Sequence, residues 1–329
     1  MHPSKSTYNL FKLCDFRGPM KLFRICLVSL LLVSMAYASP LNSSARSCIP
    51  AETLQLISVD YRSLKDSPTA MALKQQLMPD NIKQFEAALK AIGIDPDKDI
   101  DNLTFASFHS GKQGVRGVGI ASGPFNMKAV LKKMKLANFV PKKYGTTNVY
   151  PMDGGFIMSF LDDSTLLFGD STAVHAALDT RDGKTLSLDT NGDLADMMTN
   201  VDSAPVWSIL DQQGTQNMLQ SALGEAAKIA DVEKLKKNLV GSRYTMNFTS
   251  GVNFDATVVT ADSVTAGMLS SAFKGYLLYK KTTAAAGEKV VMENTSADTD
   301  GNNVTIHFKS NDQQFQALMR TDLFAALSH

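Results

Sequence analysis

A succession of strand and helix patterns occurs twice along the chain, at an offset of 140 residues. The β-rich run at residues 104–108 resembles the run at residues 244–248, and each is followed by a turn, a strand pattern and an amphipathic helix pattern. These strands and helices cover residues 115–122 and 125–136 in the first copy, and residues 252–260 and 263–281 in the second. Because a repeat determines the architecture of both copies together, it constrains the fold more than any other feature.

Each copy continues with a pair of strands and closes with a helix. The turns at residues 153–155 and 300–301 contain Asp-Gly between apolar runs, which is a strong signal for a β-hairpin. Phe168 of the first copy and Phe308 of the second stand at the same offset of 140. The repeat is therefore predicted to extend through these hairpins.

The beginnings of the copies match less closely. Residues 56–60 and 206–210 are predicted to be buried first strands, and helices fill residues 69–92 and 213–239, with Pro79 breaking the first of these helices. The predicted class is α+β, a duplicated β-α-β-β-α-β-β-α unit whose sheets are largely antiparallel and whose helices pack on one face. The sequence leaves open whether the copies share one sheet or form two domains, and it leaves the oligomeric state open.

The N-terminal residues are predicted to form a signal peptide. Lys21 and Arg24 precede an apolar run at residues 25–35, and alanines at positions 36 and 38 predict cleavage between Ala38 and Ser39. The apolar run is shorter than the roughly 20 residues that span a bilayer. No stable transmembrane anchor is therefore predicted after cleavage, and an uncleaved anchor is the alternative.

The predicted boundaries follow from these patterns. They are a signal peptide at 1–38, a mature N-terminal segment at 39–50, a first repeat at 51–180, a linker at 181–203 and a second repeat at 204–329. If translation starts at Met20, residues 1–19 are an upstream extension. The predicted localisation is the periplasm or the extracellular space.

The charge balance excludes some classes of function. The chain has 33 basic and 32 acidic side chains, and removal of the signal peptide would make it mildly acidic, so nucleic-acid binding is not predicted. Of the three cysteines only Cys48 would remain, which excludes an internal disulfide and favours an inert or loosely tethered thiol.

Several short motifs are compatible with chemistry but fit a structural role better. The glycine-rich run at residues 116–123 lies inside a strand pattern, whereas a dinucleotide-binding turn follows the strand. The acidic run at residues 95–101 lacks the glycine and glutamate of a calcium loop. Ser271 and Lys274 form a Ser-x-x-Lys pattern without the companion motifs of penicillin-binding enzymes.

The remaining candidate groups do not form a recognisable site. His109, His175 and His307 are far apart in sequence and show no metal-ligand spacing. The Gly183-Lys184-Thr185 run lacks the earlier glycine of a phosphate-binding loop. We therefore predict no catalytic residues, no cofactor and no metal.

One basic cluster stands out. It consists of Lys128, Lys132, Lys133, Lys135, Lys142 and Lys143. These lysines could be the polar face of a helix, or they could weakly contact anionic lipid, a cell-wall polymer or an acidic partner. The sequence leaves these alternatives open.

Four short patterns carry a resemblance to other proteins. They are Val59-Asp60 with Leu64, Gly93-Ile94-Asp95-Pro96, Asp99-Ile100-Asp101 and Gly123-Pro124-Phe125. In these patterns the chain resembles uncharacterised exported bacterial α+β envelope proteins, over roughly residues 50–180. The resemblance implies a bacterial envelope setting and no known activity.

These observations favour an exported, non-enzymatic protein that binds an unidentified envelope partner or ligand. One alternative is an envelope hydrolase whose site assembles from residues distant in sequence. The other alternative is a structural protein of the envelope.

Overall fold

The computed structural model describes residues 41–78, 80–111, 114–152, 155–223, 235–284 and 286–320. The predicted signal peptide at residues 1–38, the cleavage site at Ala38 and Ser39, and the C-terminal end of the second predicted repeat lie outside the described residues. Pro79 and the first residues of the predicted turn at 153–155 also lie outside them. The described residues form one sheet of twelve strands, with helices packed against it.

The strands and helices are numbered in chain order. The strands are β1 (Thr53–Asp60), β2 (Asn102–His109), β3 (Val115–Ser122), β4 (Lys142–Tyr144), β5 (Thr147–Pro151), β6 (Phe156–Asp162), β7 (Thr165–Asp170), β8 (Val206–Leu210), β9 (Leu239–Asn247), β10 (Val252–Thr260), β11 (Thr295–Asp300) and β12 (Asn303–Ser310). The helices are α1 (Ser43–Ser47), α2 (Tyr61–Leu64), α3 (Pro68–Leu77), α4 (Asp80–Ala91), α5 (Pro96–Asp99), α6 (Met127–Leu136), α7 (Ser171–Arg181), α8 (Gly192–Thr199), α9 (Gln212–Leu223), α10 (Ser263–Thr283), α11 (Ala286–Glu293) and α12 (Asp312–Leu318).

The sheet is centred on an antiparallel pair formed by β1 and β8. Outward from this pair the order is β2-β3-β7-β6-β5-β4 on one side and β9-β10-β12-β11 on the other. All these neighbours pair antiparallel, so the predicted α+β class and the antiparallel sheet are confirmed. Strands of both predicted repeats lie in one continuous sheet, while the duplication itself stays a prediction.

The sheet has two faces because successive side chains of a strand point to opposite sides. On one side, which we name the Phe168 face, Leu166 and Phe168 of β7 pack with Phe85 of α4 and Met134 of α6. Leu167, between them in sequence, belongs to a separate apolar cluster. Helices are therefore needed on both sides of β7.

The opposite side is named the Trp207 face. Trp207 of β8 shares its cluster with Ala45 of α1, Ala177 of α7 and Met198 of α8, all of them buried. The prediction that helices pack on one face is therefore wrong for the strands of the first half. The physical reason is that β3 and β7 are apolar on both sides, and an apolar strand face has to be covered.

The second half of the sheet is different. Val258 of β10 and Val304 of β12 lie on the Phe168 face, where they pack with Leu269 of α10. On the Trp207 face the same two strands carry polar residues, among them Asp255 and His307. The described helices of this half cover the Phe168 face, as the sequence predicted for the whole chain.

Candidate functional site

The predicted lysine cluster lies on α6 and on the chain that follows it. Asn126 caps the helix by accepting a hydrogen bond from the amide of Ala129 at 3.2 Å. Val130 and Met134 are buried against the Phe168 face, which fixes the rotation of α6 on the sheet. The remaining positions therefore face outward, where the lysines are exposed.

The outward surface of α6 also carries apolar side chains that the sequence analysis did not single out. Leu131 is 45% exposed, and Leu136 and Val140 are 74% and 72% exposed. Exposed apolar side chains grouped among cations are typical of a surface that meets a partner. A helical projection of α6 would have shown Leu136, because this residue lies on the side opposite the buried Val130 and Met134.

A cavity opens at the C-terminal end of α6. Asn138 has a φ angle of 58° and turns the chain away from the helix axis towards β4. The cavity measures about 340 Å³ and is lined by Leu131, Met134, Lys135, Asn138, Phe139, Val140, Pro141 and Tyr150. Its wall is therefore mainly apolar, with a lysine among the lining residues. We call this cavity and the surrounding exposed leucines, valine and lysines the α6 patch.

The α6 patch is positively charged over a long stretch of sequence. No Asp or Glu occurs between Asp101 and Asp153, an interval that contains all six lysines of the cluster. None of the six forms an ion pair with a carboxylate in the part of the chain that the structure describes. Their charges are therefore not neutralised by neighbouring carboxylates and can act on an anionic partner.

The structure separates the other candidate residues of the sequence analysis. Ser271 and Lys274 are exposed on the outer side of α10. The acidic run stabilises local structure. The side chain of Asp95 caps α5, and the backbone amide of Asp95 donates to the Asp99 carboxylate at 2.7 Å. Within the described ranges, no group of three or more His, Cys, Asp or Glu side chains could hold a metal ion.

The histidines have separate environments. The ring of His175 stacks on Tyr144 with centroids 3.8 Å apart, and burial lowers the pKa of His175. The Tyr144 hydroxyl donates to Asp179 at 2.8 Å. These contacts hold α7 against β4. The role of His175 that they indicate is packing.

His307 lies on the Trp207 face between two acidic strands. Its Nδ1 is 2.5 Å from Oδ1 of Asp255, and its Nε2 is 3.6 Å from Oδ2 of Asp298. Ser296 of β11 is the direct cross-strand partner of His307. A serine, a histidine and an aspartate thus stand side by side on β11, β12 and β10, which the sequence spacing did not reveal.

Cys48 is buried at the C-terminal end of α1. Its thiol donates to the carbonyl oxygen of Ser44 at 2.9 Å, and burial raises the pKa of Cys48 to about 12. The thiol is therefore neutral at physiological pH and unreactive.

Comparisons with known proteins assign no activity. No family model matches the chain, and no curated protein matches it. Among solved structures, the chain is similar to crystal form I of TP0453, with a TM-score of 0.48 and 9% identity over 89% of this chain and 98% of that chain. It is also similar to crystal form IV of TP0453, with a TM-score of 0.43 and 8% identity over 87% and 98% of the two chains. Among the described residues, no helix has the length and apolar character needed to cross a membrane.

Proposed function

We propose that this chain is an exported, non-enzymatic envelope protein that binds an anionic lipid surface through the α6 patch. The single observation that carries the proposal is the combination of exposed apolar side chains with six exposed lysines on α6 and the chain after it, next to an apolar cavity that Lys135 lines. The export signal predicted at residues 1–38 supports an envelope location.

The chemistry of the patch fits the headgroup region of a bilayer. Leu136 and Val140 can enter the boundary between headgroups and acyl chains, while lysine side chains extend their charges towards anionic headgroups. Each lysine near an anionic membrane contributes about 1 kcal/mol of attraction, and this attraction decreases with salt. Lysine attraction together with burial of the three exposed apolar side chains supports reversible peripheral binding.

The proposal can be tested by sedimentation of the purified protein with lipid vesicles. We expect binding to vesicles that contain phosphatidylglycerol, weaker binding at high salt, and little binding to pure phosphatidylcholine vesicles. Equal binding to both kinds of vesicle, or to neither, would contradict the proposal.

Paired variants distinguish lipid binding through the α6 patch from lipid binding through the rest of the surface. Reversal of Lys132 and Lys135 to Glu should weaken binding by more than about tenfold, since two attractions become repulsions. Lys65→Glu changes an exposed lysine outside the patch and serves as the control. For the apolar part, Leu136→Ser is compared with Leu186→Ser, because these leucines are 74% and 68% exposed.

The alternative of an envelope hydrolase rests on one specific observation, the adjacent Ser296, His307 and Asp255. In a serine hydrolase the histidine takes the proton of the serine hydroxyl and the aspartate orients the histidine. Here the aspartate contact is present, but no hydrogen bond joins Ser296 to His307, and His307 is 45% exposed. A fluorophosphonate probe that labels the native protein and not Ser296→Ala would establish this alternative in place of the non-enzymatic role.

A further inference from the structure

The outer side of α10 is unusually apolar for an exposed helix. Val264, Met268, Leu278 and Tyr279 are 71%, 50%, 70% and 63% exposed. The inner side of the same helix buries Ala266 and Leu269 against the sheet. The helix is thus apolar on both sides, and a helix of this kind is normally covered all round.

The exposed residues of α10 follow a regular spacing. Positions 264, 268, 271, 275, 278 and 282 alternate steps of four and three, which places them in one row along the helix; Val264, Met268 and Leu278 of this row are apolar. All six of these positions are exposed. We call this row of side chains the α10 seam.

The centre of the α10 seam consists of small residues. Ser271 and Gly275 stand there between the larger Met268 and Leu278. A Cβ added at Gly275 would meet nothing within 4 Å, so packing within the chain does not require a glycine at this position. Glycine lowers helix stability relative to alanine, and small residues permit close approach of a second helix.

The geometry points to a second copy of this chain as the occupant, and we propose that two copies pair through antiparallel α10 seams. An antiparallel pair centred between Ser271 and Gly275 sets the small residues of one copy against those of the other. It also brings Met268 of each copy near Leu278 of its partner. The seam is therefore complementary to itself, as a two-fold interface requires.

The charges at the ends of α10 favour the antiparallel direction. Asp262 precedes the helix, while Lys280 and Lys281 lie in its last turn, and the helix itself contains no acidic residue. Antiparallel pairing sets the acidic end of one copy against the basic end of the other and leaves only Lys274 close to the same residue of the other copy, whereas parallel pairing would bring Lys274, Lys280 and Lys281 of both copies together.

The expected dimer is weak. The 21 residues of α10 give a helix about 31 Å long. With one helix from each copy, we expect an interface at the small end of the range, below the roughly 1,200 Å² of a stable complex. The dimer should therefore become abundant only at high protein concentration, as on a membrane surface.

Sedimentation equilibrium of the purified protein, in a series that reaches millimolar concentration, tests the proposal. We expect a monomer–dimer equilibrium for the wild type. Leu278→Lys should raise the dissociation constant by at least about tenfold, because one change acts twice across a symmetric interface. Leu186→Lys is the matched control, since Leu186 is 68% exposed and Leu278 70% exposed.

A second variant tests the close approach at the centre. Position 275 is exposed, a Cβ there meets nothing within 4 Å, and leucine has a higher helix propensity than glycine, so the Gly275→Leu monomer should fold but should not pair. A wild type that stays monomeric at all concentrations would overturn the proposal. Equal loss of association in Leu186→Lys and Leu278→Lys would also overturn it, because association would then not depend on the α10 seam.

Discussion

Gly119 lies directly beneath the ring of Phe168, and this contact explains why β3 has a glycine at position 119. A Cβ at position 119 would overlap with the outer ring atoms of Phe168. That ring cannot move away easily, because it is 2% exposed and stacks on Phe85 with centroids 4.0 Å apart. Gly119 is therefore a packing residue, and the close contact comes from Phe168, its cross-strand partner on β7.

We predict that Gly119→Ala lowers the free energy of unfolding by about 1–3 kcal/mol, because overpacking forces side chains from their preferred positions. Gly117→Ala is the control, since a Cβ at position 117 meets nothing within 4 Å. Urea unfolding of both variants gives the measurement. An equal effect of the two changes would refute the contact as the cause.

Cys48 offers a second test at the scale of one residue. Burial raises the pKa of its thiol from 9.0 to about 12, so the unfolded chain releases this proton at lower pH than the folded chain. This contribution to stability is complete below pH 9 and is lost as the pH rises towards about 12. We expect iodoacetamide to modify Cys48 only after denaturation, as followed by peptide mass spectrometry. Modification of the native protein at neutral pH would contradict burial of the thiol.

At the scale of one element, α6 combines structural and surface roles. Its buried side holds the helix on the sheet through Val130 and Met134, and its exposed side forms the α6 patch. The lysine cluster could be predicted from the sequence, because charge is visible residue by residue. The cavity could not, because Tyr150 comes from β5 and reaches the site only through the folded sheet.

We predict that Asn126→Ala lowers the free energy of unfolding by about 1 kcal/mol, since it removes the cap of α6. Asn126→Asp retains a capping oxygen and should have a smaller effect. Thermal unfolding followed by circular dichroism measures both. If Asn126→Ala were as stable as the wild type, the cap would not contribute to the stability of α6.

At the scale of the whole molecule, the β1–β8 pair joins the two halves. Ile209 of β8 and its cross-strand partner Leu56 of β1 are fully buried, and Trp207 is 2% exposed. These side chains belong to the cluster that α7 and α8 cover. The two halves of the sheet therefore share a core and should unfold together.

We predict that the fluorescence of Trp207, the one tryptophan of the chain, and the far-UV circular dichroism report the same unfolding midpoint in urea. Ile209→Ala should lower the free energy of unfolding by about 2–5 kcal/mol and keep one transition, because it leaves a cavity in the shared core. Two separate transitions in the wild type would show that the halves are independent.

Local pattern was sufficient for the α+β class, most strands and the lysine cluster, because period, turn residues and charge are properties of short segments. The pair of strands predicted to follow α6 was wrong in number, since the described residues there form four strands, β4 to β7. The strand order was not accessible in this way, because the pairing of β1 with β8 joins residues about 150 positions apart in sequence. The covering of both faces in the first half was missed for a related reason. An apolar run shows that a strand is buried, but only the packed helices show on which sides.

The candidate sites divide along the same line. The lysines of the α6 patch and the spacing of the α10 seam can be read directly from the sequence. Their exposure is a tertiary property, because it depends on which side of each helix the sheet buries. The same holds for Ser296, His307 and Asp255, which cross-strand pairing brings together from three strands.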